Sequence, residues 1–94
     1  MAYMFVRHTV KDLDAWKSVF DSVDDLRRRN GERSYRILSE GNGSNEIFAL
    51  FEWDSLDNAR KYASSPELRA AMERAGVVGK PDIYFLEEAA RGDL

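Results

Sequence analysis

The sequence predicts an α+β domain: a four-stranded antiparallel sheet, in the order β-α-β-β-α-β, with its helices on one face. Three observations predict it. Four runs rich in β-branched and aromatic residues are separated by two amphipathic stretches of helical period. Gly, Asn, Ser and Pro fall between the runs, where turns and caps are needed. The chain has 94 residues, enough for one hydrophobic core and too few for two. One domain over residues 1–94 is expected, with an ordered core at about 3–87 and a loose tail at 88–94.

The first strand is expected over Tyr3–Val10. Met4, Val6, His8 and Val10 point to one side of it, and Tyr3, Phe5, Arg7 and Thr9 to the other. Asp12 then suits a helix N-cap, followed by Leu13, Trp16, Phe20, Val23 and Leu26 or Arg27 at spacings of three and four. Arg27, Arg28 and Arg29 match the negative end of this helix, and Gly31 suits its stop. Ser34–Glu40 and Glu46–Trp53 predict a hairpin joined by Gly41, Asn42, Gly43, Ser44 and Asn45. Ile47, Ala49, Phe51 and Trp53 share one face of the third strand.

Ser55 caps a second helix carrying Leu56, Ala59, Tyr62 and Ala63 on one stripe. Ser65 and Pro66 restart it, Leu68, Ala71, Met72 and Ala75 continue it, and Gly76 ends it. Val77–Pro81 reads as a connection and Asp82–Glu87 as the fourth strand. This is the split βαβ, or ferredoxin-like, order. The helices cover one face of the sheet, yet three strands are apolar on both. A homodimer packed through the sheet face is therefore expected, with Phe5, Phe51 and Phe85 as candidates for its cover.

Composition narrows the function. The net charge is −3, a poor balance for holding nucleic-acid phosphates, so no nucleic-acid partner is expected. Mean hydropathy is −0.53 and no apolar run approaches the roughly 18 residues of a membrane helix. No export signal is visible after Met1, so the expected location is cytoplasmic. Cysteine is absent and His8 is the one histidine, which removes thiol chemistry and multi-histidine metal sites. The 12% aromatic content, with 5 Phe, 4 Tyr and 2 Trp, exceeds the needs of a modest core. An RNA-recognition motif shares the topology, but Glu46, Ile47 and Leu50 stand where it wants a basic residue, a glycine and an aromatic.

Four motifs stand out in this order: Val6-Arg7-His8-Thr9-Val10 running into the first helix, Phe51-Glu52-Trp53-Asp54-Ser55-Leu56, the helical Tyr62 and the break Ser65-Pro66-Glu67-Leu68. In these the chain resembles the dimeric α/β-barrel superfamily, in particular its antibiotic-biosynthesis-monooxygenase-like members. The resemblance implies two sheets closing into a barrel across a dimer and a pocket between sheet and helices in each protomer. It also implies a choice of activities: cofactor-free oxygenation, cyclisation or isomerisation of flat aromatic or polyketide-like substrates. The haem-degrading branch is not matched. Its tryptophan and ligating histidine fall at Tyr62 and Met72, and its strand-one asparagine falls near Val6.

The expected site follows from that pocket. His8 is a candidate general base, being the side chain whose unperturbed pKa lies near neutrality. Tyr62 is the candidate orienting hydroxyl. Trp16, Phe20, Tyr35, Trp53 and Met72 are the candidate substrate-binding residues. No cofactor and no metal are expected. Each residue also has a structural reading: a buried histidine supporting its strand, or an aromatic stripe that is simply core. Glu52 is read either as an inward acid or base or as a surface partner of Arg7 or Arg36. The alternative functional reading is a dimeric ligand-binding or stress-response module without turnover.

Overall fold

The computed structural model describes residues 1–94. Its elements run β1 (Ala2–Val10), α1 (Leu13–Ser22), α2 (Asp24–Asn30), β2 (Glu32–Ser39), β3 (Glu46–Trp53), α3 (Leu56–Ala63), α4 (Pro66–Arg74) and β4 (Val77–Glu87). The strands form one antiparallel sheet in the order β2-β3-β1-β4. The molecule measures 34 × 34 × 21 Å, one sheet layer and one helix layer thick. No helix is long and apolar enough to cross a membrane.

Alternation along the strands divides the sheet as expected. Val6 pairs with Ala49 and Ile83, and His8 with Ile47, so these side chains face the helices. There they join Met4, Val10, Trp53, Trp16, Phe20, Ala59 and Tyr62 in one buried core. Trp53 and Ile47 are fully buried, and burying a side chain of this kind stabilises by about 1.5–3 kcal/mol. Phe51 and Phe85 flank Met4 in the register and share its helix-facing side. That corrects their expected place at the dimer face, because the period of two assigns them with Met4 and not with Phe5.

Two further differences have local causes. The first helix is broken at Val23 (φ −111°, ψ 19°) into α1 and α2. The Ser22 hydroxyl donates to the Val19 carbonyl at 2.6 Å, competing with the helical ladder. The chain between Val77 and Pro81 is strand, not connection. It continues past Gly79 (φ 73°) through a register shift opposite Arg7 and Thr9. Pro81 is tolerated because β4 is an edge strand, where a missing N–H breaks no inner ladder. The segment after Glu87 has no regular structure, but the Glu88 amide donates to the Met1 carbonyl at 3.3 Å and Arg91 pairs with Glu88 at 3.1 Å.

The helix ends are capped as the sequence indicates. Asp12 accepts from the Asp14 and Ala15 amides, Ser55 from Asn58 and Ser65 from Leu68. Gly31 ends α2 in the left-handed region (φ 117°), and its carbonyl receives the Asp54 amide at 2.9 Å. That bond anchors the start of the β3–α3 turn to the end of α2.

Candidate functional site

The helix-facing side of the sheet and the inner faces of α1–α4 enclose a cavity. Its volume is about 60 Å³, and it opens to solvent on one side. β1 supplies Met4, Val6 and His8; α1 supplies Trp16 and Phe20; α3 supplies Tyr62; α4 supplies Leu68 and Met72. Thirteen of its fifteen lining residues are hydrophobic, the exceptions being His8 and Arg27. An apolar lining with a few polar groups is the general make-up of a small-molecule site, although this volume is below the usual size of one.

His8 sits on the inner face because its strand alternates Val6, His8, Val10 toward the core. It is 9% exposed, and both ring nitrogens are buried without a hydrogen-bond partner. Its ring meets Trp16 edge-on, with centroids 5.5 Å apart. Burial pushes its pKa below the ordinary 6.5, so the imidazole is neutral at neutral pH. A neutral imidazole offers one acceptor nitrogen and one N–H donor. Left unpaired in an apolar setting, each costs roughly 1–3 kcal/mol.

Tyr62 lies on the α3 stripe two turns from the Ser55 cap. It is buried, with its ring 5.4 Å from Trp53. Burial pushes the phenol pKa up, aided by the nearby Glu32 and opposed by Arg27, so Tyr62 keeps its proton. A phenol that keeps its proton has an O–H to donate and is no base at neutral pH.

Of the residues expected to bind substrate, Trp16, Phe20 and Met72 line the cavity with His8 and Tyr62. Trp16 stacks on Phe20 at 4.9 Å. Trp53 does not line it: the side chain is fully buried in the core, and its indole N–H has no partner. Tyr35 lies outside as well, 38% exposed, its ring edge-on to Phe20 at 4.9 Å. It borders an outer groove with Asp24, Arg27 and Glu32. Glu52 is on the open sheet face, 3.4 Å from the Ser34 hydroxyl. Arg7 pairs with Glu46 at 2.5 Å instead.

Arg27 is the residue that sequence reasoning left out of the site. The break at Val23 and the continued stripe Trp16, Phe20, Val23, Arg27 turn it inward, where it is 3% exposed. Its place on that stripe was the signal; its membership of an arginine run masked it. No cluster of three or more His, Asp or Glu side chains is placed to hold a metal ion.

No protein-family model matches the chain, and no curated protein matches it by sequence. Solved structures do match in shape, and several of them are antibiotic biosynthesis monooxygenases by name. The chain has the ferredoxin-like fold of that group. SnoaB, a cofactor-independent oxygenase from Streptomyces nogalater, superposes with a TM-score of 0.71 at 20% identity, over 99% of this chain and 95% of that one. An antibiotic biosynthesis monooxygenase gives 0.67 at 8% identity, over 96% and 100%. A protein of unknown function from Nitrosomonas europaea gives 0.72 at 17%, over 99% and 93%. At these identities the likeness is one of fold.

Proposed function

We propose that this chain is a small-molecule enzyme that takes a flat, largely apolar aromatic or polyketide-like substrate into the sheet–helix cavity. His8 acts as general base and Tyr62 as the donor that orients the substrate oxygen. The observation that carries this is the buried His8 imidazole, which lines the cavity with neither nitrogen paired. A neutral base in an apolar slot can remove a proton from a phenol, an enol or a carbon beside a carbonyl. The resulting carbanion reacts with dioxygen without a cofactor. For an activated CH₂ group the balance is CH₂ + O₂ → C=O + H₂O, with all electrons supplied by the substrate. The same proton removal serves an isomerisation or an aldol-type cyclisation.

We also propose that a second copy covers the open sheet face. Across it, Arg36, Leu50, Phe5 and Tyr84 form one row in register. Leu38, Tyr84 and Leu86 are 53%, 53% and 46% exposed.

The test is turnover of an anthrone in air, followed as quinone absorbance. The wild type should exceed buffer, and His8→Ala should bind the anthrone and lose the rate. Binding without turnover in the wild type would favour the non-catalytic ligand-binding module. Unchanged turnover in His8→Ala would remove His8 from the mechanism.

A further inference from the structure

Arg27 carries a permanent charge into a nearly dry wall of the cavity. A buried cation requires counter-charge and hydrogen bonds. Glu32 Oε2 accepts from Nε at 3.0 Å, the Phe20 carbonyl accepts from Nη1 at 2.7 Å, and Asp24 accepts from Nη2. The guanidinium carbon sits over the Phe20 ring, 3.6 Å from its centroid. Three of the five N–H donors are thereby used, and two are left.

The two carboxylates are not equivalent. The Asp24 side chain is 40% exposed and screened by water, whereas that of Glu32 is 7% exposed. Coulombic attraction is strongest where water is excluded, so Glu32 is the group that neutralises Arg27. Glu32 Oε1 is itself buried without a partner. Arg27 thus brings two uncommitted N–H groups to the cavity wall with little net charge, Glu32 standing behind it and outside the lining. A ligand carboxylate placed there would give up its hydration and meet a guanidinium already neutralised. A ligand carbonyl gives up far less.

We propose that Arg27 donates its free N–H groups to a carbonyl oxygen of the ligand, and that Glu32, by cancelling the Arg27 charge, makes this end of the cavity select an uncharged acceptor over a carboxylate. Arg27 is then a ligand-contacting residue and Glu32 a specificity-determining one that acts through it. The inference rests on the small-molecule reading of the cavity.

Calorimetric titration with three bicyclic compounds of similar shape tests it: tetralin, 1-tetralone and 1-naphthoate. The wild type should prefer 1-tetralone over both others by about tenfold. Glu32→Gln keeps an acceptor for Arg27 Nε but uncovers the positive charge, so 1-naphthoate should gain about tenfold and draw level with the ketone. Arg27→Met is combined with Glu32→Gln so that no buried carboxylate is stranded, and this pair should lose the ketone's advantage over tetralin. Arg27→Lys should keep the order of the wild type with a weaker ketone. Circular dichroism confirms folding of each variant. Glu32→Gln with unchanged selectivity, or a folded double variant that still prefers the ketone, overturns the assignment. Binding of all three compounds without discrimination overturns it while leaving the cavity reading intact. No binding by the wild type overturns both.

Discussion

His8 shows how a single residue can be at odds with its surroundings. An imidazole packed against Trp16 with neither nitrogen paired destabilises the fold relative to an apolar side chain of similar size. Residues of this kind are retained where function needs them. His8→Leu is therefore expected to leave stability unchanged or to raise it by about 1 kcal/mol, while abolishing turnover. Urea denaturation beside the anthrone assay reads both effects; a loss of several kcal/mol would mean that His8 holds the strand and does no more. Its titration gives a second prediction. The native pKa lies below 6.5, so in the window between the two values the unfolded chain binds a proton that the native chain does not. Stability is then fully present above about pH 6.5 and falls as pH drops through that window. Glu32 acts in the opposite sense, since burial raises its pKa above the ordinary 4.5 and acid relieves its cost. Denaturation midpoints measured across pH should show the fall near neutrality flatten in His8→Leu. An unaltered pH profile would mean that His8 is solvated.

At the level of elements, the α2–β2 junction positions the polar end of the cavity. Gly31 closes α2 at φ 117°, and a Cβ there would meet the Asp54 carboxylate at 2.4 Å. Asp54 is held in place by the Asn58 amide at 2.9 Å and by its own backbone bond to Gly31. Gly31→Ala thus combines backbone strain with a clash and should cost roughly 1–3 kcal/mol. Thermal unfolding would show it, and a loss under a few tenths would mean that the turn relaxes freely. What the sequence revealed depends on this same local character. Alternation in β1 and β3 assigned Val6, His8, Ala49 and Trp53 to the helix side, and Asp12, Ser55 and Ser65 marked the helix starts. The break at Val23 was not legible, because a serine bonding back to its own helix leaves the period unchanged. The inward turn of Arg27 was signalled by its place on the stripe and masked by the arginine run, while its pairing with Glu32 depends on where β2 begins. The strand status of Val77–Pro81 was hidden by Gly79 and Pro81, which signal a turn but here lie on an edge. Trp53 and Tyr35 were assigned to the site from residue type; distance from the cavity is a property of packing alone.

The whole molecule is a slab with helices on one face and an uncovered sheet on the other. Strand β1 alternates between the two, so its odd residues Phe5 and Arg7 belong to the open face while Val6 and His8 line the cavity. Leu50, Phe5 and Tyr84 run side by side on that face, and Arg36 and Glu52 near them have no ion-pair partner within the chain. The slab extends 34 Å in each direction along its plane, room for an interface of roughly 800 Å² per partner centred on the sheet. A twofold arrangement places the same apolar row against itself and leaves no open hydrophobic surface for further addition. Sedimentation at micromolar concentration should therefore give twice the 10.8 kDa chain mass. Leu50→Arg puts a charge in the middle of the row, on a side chain that the protomer's own core does not need. It should sediment at the single-chain mass with its helical and strand content intact. Since β1 carries both surfaces, the same variant should also bind cavity ligands more weakly, as a strand packed on one side holds His8 less firmly. A folded wild-type monomer at that concentration would sink the dimer. A dimeric Leu50→Arg would move the interface to another face of the molecule.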